Sequence, residues 1–296
     1  MSHLRILHFS DVHLPFPPGF FRTGEMLHPK RMIALVNFVL RRSGKYARGV
    51  QKLNGLADFL RREPVDYLLY TGDSLNQGLE CEYMQAARRL AEVICLARRG
   101  GLAVPGNHDY YTSGAMAHYR RYMAPVLPST DLPDATTESG FPLVRFMENS
   151  AVAIALNSSV PHVPFWDSSG RLDDAELASL GRLLKQERIV GRKHIFLMTH
   201  YPFLDTDALH GLRNSQPLFQ LLKGHSNVVL LHGHNHRIYV RQAPELDIPV
   251  YCAGSLTKEG AESFWLFELF GGGLNPRQGV WKNARFVLRD PEAVEE

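Results

Sequence analysis

The sequence predicts an α/β fold, and two features carry the prediction. Short apolar runs recur along the chain and each stops abruptly at a polar cluster, as strands buried on both faces do. Between several of these runs, apolar residues return every three or four positions, the spacing of a helix with one buried face. Strand and helix in alternation imply a sheet covered by helices.

The runs read as strands span residues 4–9, 65–70, 102–104, 195–198 and 228–231. Helical spacing spans 80–98, with Tyr83, Ala87, Leu90, Ala91 and Ile94 on one face, and 173–186, with Leu177, Leu180 and Leu184. A second set of apolar segments, 143–147, 151–156, 249–253, 263–269 and 284–288, is denser and has no helical spacing between its members, which predicts added antiparallel hairpins. Asn149 and Ser150 stand where a turn would join the first two, and Gly271 to Gly273 mark another connection. Residues 14–29 and 125–142, rich in Pro, Gly, Ser and Thr, read as surface loops.

At 296 residues the chain suits a single domain, 1–296, with residues 14–55 as a candidate lid or cap. A composition of 45% hydrophobic and 21% charged residues is that of a globular protein, and a formal charge of +3 gives no signal for nucleic-acid binding. Cys81, Cys95 and Cys252 are odd in number and lack CxxC spacing, so neither a disulfide framework nor a thiolate zinc site is indicated. No run approaches the ~18 apolar residues of a membrane span, and a cytoplasmic location is expected. Within 30–52, Ile33, Leu35, Val36, Phe38, Val39 and Leu40 stand among Arg31, Arg41, Arg42, Lys45, Arg48 and Lys52. Such a basic amphipathic stretch suits either a solvated helix on the sheet, the commoner case, or a lid gripping an anionic or lipid-like substrate, with peripheral membrane contact.

The polar residues just after each buried run are chemically selective. The run ending at Phe9 gives Asp11 and His13; the run ending at Tyr70 gives Gly72 and Asp73; Val104 leads to Gly106-Asn107-His108-Asp109. Met198 leads to His200, and Leu231 to Gly233-His234-Asn235-His236. In open α/β sheets ligands sit beyond the carboxyl ends of the strands, so these clusters can converge. Carboxylate, amide oxygen and imidazole without thiolate suit Mn, Fe, Zn or Co. A lone histidine after a strand is ordinarily a packing residue, and Asp-x-His or Gly-Asp alone says little; the ordered combination is what points to metal. The other histidines, among them His8, His118, His194 and His232, are given no role.

These blocks resemble those of the calcineurin-like metallophosphoesterase superfamily. Gly170-Arg171-Leu172 with the following helix, and Gly254-Ser255, are similar to the bacterial class III cyclic-nucleotide phosphodiesterase branch. The resemblance implies a four-layer αββα sandwich of two mixed sheets and two divalent metal ions, Mn, Fe or Zn. Asp11, His13, Asp73 and His236 would hold one ion, and Asp73, Asn107, His200 and His234 the other, with Asp73 bridging. One departure is that Gly72-Asp73 continues Ser74-Leu75-Asn76, where relatives often have two apolar residues and then Asp.

The implied chemistry is hydrolysis of a small phosphodiester, a cyclic nucleotide for example, by water activated between the ions. His108, beside a ligand and not itself one, is the candidate proton donor to the leaving group, with Asp109 placed to orient it. An alternative is a nucleotide-lipid pyrophosphatase similar to UDP-2,3-diacylglucosamine hydrolases, which more often carry Gly-Asn-Arg-Asp where this chain has Gly106-Asn107-His108-Asp109. A catalytically silent scaffold of the same fold is a further alternative, but it should have lost ligands, and every expected one is present.

Overall fold

A computed structural model describes residues 3–17, 31–32, 44–127, 129–161, 167–204 and 209–291. In chain order its first elements are β1 (Leu4–Phe9), α1 (Gly49–Arg62), β2 (Tyr67–Tyr70), α2 (Glu80–Ile94), β3 (Gly101–Ala103), α3 (Ala115–His118), β4 (Leu143–Met147) and β5 (Ala151–Ala155). They continue with α4 (Asp174–Leu183), α5 (Glu187–Val190), β6 (His194–Met198), α6 (Ser215–Leu222), β7 (Val228–His232), β8 (Ile238–Ala243), β9 (Ile248–Ala253), β10 (Ser263–Phe270), β11 (Gly273–Lys282) and β12 (Arg285–Arg289).

The strands form two six-stranded sheets, ordered β12-β11-β10-β1-β2-β3 and β4-β5-β6-β7-β9-β8. In the first, β1, β2 and β3 are parallel neighbours and β10 to β12 add an antiparallel meander. In the second, β5, β6, β7 and β9 are parallel, flanked by antiparallel β4 and β8. Alternation along each strand sorts side chains to opposite faces. Ile6, Leu69, Leu102, Trp265 and Phe267 of one sheet meet Ala153, Phe196, Met198, Val229 and Leu231 of the other in a core between the sheets. The outer face of the first sheet is covered by α1 and α2, through Leu53, Leu56, Leu60, Tyr83 and Leu90. The outer face of the second packs on α4 and α6, through Leu177, Leu180, Leu218 and Leu222. These four layers make the αββα sandwich of two mixed sheets, as expected.

Element boundaries differ from the sequence reading where capping intervenes. The helix expected over 173–186 begins one residue later because the Asp173 carboxylate accepts the Ala175 amide at 2.8 Å as an N-cap, and it stops at Leu183 before the short α5. The helix expected over 80–98 ends at Ile94. Two strands lie outside the sequence expectation. β8 is an edge strand whose centre carries exposed Arg241 and Gln242, and β11 contains Pro276, which ordinarily argues against a strand. β12 pairs with β11 only from Gln278 onward, so Pro276 lies where the strand has a single neighbour. Of the basic stretch, residues 30 and 33–43 lie outside the described residues, as do 18–29 of the candidate lid; its end passes through a turn into α1. Among the described residues no helix is long and apolar enough to cross a membrane.

One buried carboxyl gives the fold a pH dependence. Glu176 of α4, 1% exposed, accepts the Ser139 hydroxyl at 2.6 Å and the Asn157 amide at 2.9 Å. Burial pushes it from 4.5 up to about 7, against these hydrogen bonds. A carboxyl with a raised folded-state value binds protons more tightly when folded, so stability is full below the unfolded value and falls as pH rises through the folded one. Glu176→Gln is therefore predicted to gain thermal stability relative to the parent chain between pH 5 and pH 8. A melting-point difference that does not change with pH contradicts this.

Candidate metal centre

The clusters singled out in the sequence lie just beyond the carboxyl ends of β1, β2, β3, β6 and β7, and the two sheets present these ends to one rim. The turns there are strained. Asp11, His13, Asp73, His234 and His236 all have positive φ, between 37° and 68°, a region that non-glycine residues seldom occupy. Five such residues at one rim are the concentration of backbone strain found at functional sites. The motif glycines allow the close approach. A Cβ on Gly106 would stand 2.0 Å from Asp73 Oδ1, and one on Gly233 would stand 1.9 Å from Ser10 Oγ and 2.5 Å from Asp11 Oδ2.

Two donor groups result. Asp11, His13, Asp73 and His236 offer ligand atoms that all lie within 4.8 Å of one another. Within this group His236 Nε2 is 2.8 Å from Asp11 Oδ1 and 3.2 Å from His13 Nε2. In the second group Asn107 Oδ1 lies 3.0 Å from His200 Nε2 and 3.1 Å from His234 Nδ1. Asp73 touches both: its Oδ2 is 3.6 Å from His13 Nε2 and 3.5 Å from His200 Nε2.

The second layer fixes which ring nitrogen faces inward. His13 Nδ1 donates to the Leu75 carbonyl at 2.9 Å and His200 Nδ1 to the Thr71 carbonyl at 2.7 Å, leaving each Nε2 with a lone pair. His236 Nδ1 meets Tyr46 Oη at 2.9 Å. The His234 amide donates to Asp11 Oδ2 and the His108 amide to Asp73 Oδ1. Burial lowers His200, and lowers His234 well below the usual imidazole value with help from the charge of His200. Burial pushes Asp11 up, but His236, His200 and His13 outweigh it and hold that carboxyl well below the usual range.

Imidazole nitrogens and carboxylate oxygens turned toward one another are the donor set that a divalent ion takes. The inward geometry fits one on its own terms. His13 Nε2 faces His236 Nε2 at 3.2 Å, and His200 Nε2 faces His234 Nδ1 at 3.3 Å, so ring nitrogens of both pairs converge as the ligands of an ion do. Asp11 Oδ1 is buried, and the side-chain nitrogen near it is His236 Nε2 at 2.8 Å.

A family model for calcineurin-like phosphoesterases matches residues 4–237, a span that contains every one of these donors. The chain belongs to the calcineurin-like phosphoesterases. Membership and the buried Asp/His cluster together make it a metal-dependent phosphoric ester hydrolase. A dimetal phosphatase from Danio rerio superposes with a TM-score of 0.63 at 13% identity, covering 93% of this chain and 94% of that one. The purple acid phosphatase PPD1 of yellow lupin superposes at 0.61 with 11% identity, over 98% of this chain and 53% of that one. At such identities the likeness is one of fold. A search of curated protein sequences gives no match.

Within this calcineurin-like phosphoesterase one expected contact is replaced. Asp109 does not orient His108. It is 1% exposed, and its carboxylate accepts the amides of Ser74, Asp73 and Gly106, each at 2.9 Å. Burial, opposed by these amides, raises it to about 6. It ties the Asp73 turn to the Asn107 turn. The partner of His108 Nδ1 is the Asn76 carbonyl at 2.6 Å. The Leu75, Thr71 and Asn76 carbonyls, which set three imidazoles, leave no trace in sequence because any residue supplies a carbonyl; Tyr46 reads there as one aromatic in a basic stretch.

Removing Asp73 should loosen both donor groups at once. Asp73→Ala is predicted to lose most bound Mn and the thermal stabilisation that added Mn gives the parent chain, about 2.7 kcal/mol when the ion is at a hundredfold excess over its dissociation constant. Near-normal metal content by plasma emission spectrometry would place Asp73 outside the donor set.

Proposed function

We propose that the chain is a dinuclear-metal phosphodiesterase acting on a small phosphodiester, with a cyclic nucleotide as the example. The observation that carries the dinuclear reading is the position of Asp73 Oδ2, nearly equidistant from a nitrogen of each donor group. Asp11, His13, Asp73 and His236 would hold one ion, and Asp73, Asn107, His200 and His234 the other. When bound, the pair supplies positive charge to the phosphoryl oxygens and lowers the pKa of water held there.

The chain's own residues then have distinct tasks. The carbonyls of Leu75 and Thr71 keep His13 and His200 in the tautomer that presents Nε2. His108 donates from Nδ1 to the Asn76 carbonyl, so as an imidazolium it would give the departing alkoxide the proton on Nε2 and be left as the neutral Nδ1–H ring. The His108 amide on Asp73 Oδ1 keeps this ring beside the bridging carboxylate. The diester preference rests on the likeness of Gly170-Arg171-Leu172 and Gly254-Ser255 to the cyclic-nucleotide branch. Ser255 lies against the centre, its hydroxyl donating to the Asp11 carbonyl at 2.7 Å.

The Mn-loaded chain is expected to turn over bis-p-nitrophenyl phosphate faster than p-nitrophenyl phosphate. A clear preference for the monoester would overturn the diester assignment and leave a phosphatase. His108→Ala is predicted to keep two ions per chain and lose about 10²- to 10⁴-fold in rate, more on an alkyl ester than on an aryl ester whose phenolate leaves without a proton. An equal loss on both esters rules out proton donation, and a loss of metal makes His108 a ligand.

A further inference from the structure

Resting on the two-metal reading, we propose that Tyr46 is a positioning residue for His236, held in place by an ionic cluster that fastens the start of α1 to the loop between β9 and β10. Tyr46 is 2% exposed, and its ring packs against His13 with centroids 4.8 Å apart. Its Oη lies 2.9 Å from His236 Nδ1. In the tautomer that can hold a metal, His236 Nδ1–H donates to this oxygen and Nε2 keeps its lone pair, beside Asp11 Oδ1 and His13 Nε2. His236 also has a positive φ of 50°, so its backbone is not in a relaxed basin that would hold the ring by itself. His13 and His200 are set by backbone carbonyls, whereas His236 is set by a side chain, and that side chain can be removed without disturbing a strand.

The turn bearing Tyr46 is fastened on both sides. The Glu259 amide donates to the Lys45 carbonyl at 2.9 Å, and Arg48 Nε donates to Glu259 Oε1 at 2.8 Å. Lys52, fully buried, reaches the Thr257 carbonyl and Glu259 Oε1, each at 3.0 Å, and pairs with Glu262. The same loop grips the other side of the centre, with the Thr257 hydroxyl on the Val12 carbonyl and Ser255 on that of Asp11. A buried lysine needs paired carboxylates, and removing one partner of such a pair is strongly destabilising to the arrangement that holds it. The cluster therefore joins Tyr46 and Asp11 through one loop, and fixes the distance between the residue that orients His236 and the carboxylate His236 faces.

The test is a two-site Mn titration, by calorimetry and by competition with a chelator, on the parent chain, Tyr46→Phe and Glu259→Gln. Tyr46→Phe keeps the ring and removes only the oxygen. It is expected to weaken one of the two sites about 10- to 100-fold, the usual effect of removing a ligand's hydrogen-bond partner. The other site and the metal-free melting temperature should stay near those of the parent. Glu259→Gln, which loosens the fastening without touching the centre, should weaken the same site by a smaller factor. Two sites of parental affinity in Tyr46→Phe overturn the positioning role. A lowered metal-free melting temperature with both affinities reduced alike also overturns it and makes Tyr46 a packing residue. A parent chain that binds no second ion overturns the two-metal reading first, and Tyr46 with it.

Discussion

Imidazole and carboxylate lone pairs that face one another across the rim between two sheets are the constraint on which the rest of the structure depends. His13 Nε2 opposes His236 Nε2, His200 Nε2 opposes His234 Nδ1, and Asp73 stands between the two groups. Buried polar groups demand partners, and a divalent ion among these donors would supply one to all of them. The surrounding residues increase this demand: carbonyls occupy Nδ1 of His13 and His200, and burial keeps His200 and His234 neutral.

Holding that arrangement has structural consequences well beyond the donors. The parallel strands of both sheets must end at the same rim, which the dry core of Phe196, Met198, Leu231, Trp265 and Phe267 secures by fixing one sheet on the other. The turns must then bend sharply enough to aim short side chains inward, and the positive φ angles of five donors record the strain. Buried carboxylates brace the turns. Asp109 gathers the amides of Asp73, Ser74 and Gly106, and Glu82 gathers those of Asn76, Gln77 and Leu79, so the segment from Asp73 to Leu79 is held from both ends. Through this bracing the Asn76 carbonyl arrives at His108. The departure at Ser74 and Asn76 thus finds a physical role: the Asn76 side chain donates to the Leu14 carbonyl, and its backbone serves the histidine.

Much of this was legible in the sequence because donors and strands carry side-chain signatures. Asp11, His13, Asp73, Asn107, His200, His234 and His236 all come directly after apolar runs, and the structure brings all seven to one rim. The alternation of runs and helical spacing matches the layers, and the Asn149-Ser150 turn joins β4 to β5 as its composition suggested. The features that were not legible depend on backbone or on partners distant in the chain. β11 was hidden by Pro276, tolerated because β12 begins to pair only two residues later. Asp109 looked like an orienting carboxylate because it neighbours His108, yet its oxygens are taken by amides that sequence cannot reveal. Tyr46, 190 residues from His236, carries no local sign of the contact.

The proposed centre turns on Asp73 standing between two metal ions. Anomalous diffraction from crystals of the Mn-loaded protein tests it most directly. Two peaks about 3.5–4 Å apart are expected, one on each side of Asp73 Oδ2, with His13 and His236 beside the first and Asn107, His200 and His234 beside the second. A single peak, or a pair in which either ion lies out of reach of Asp73, would contradict it.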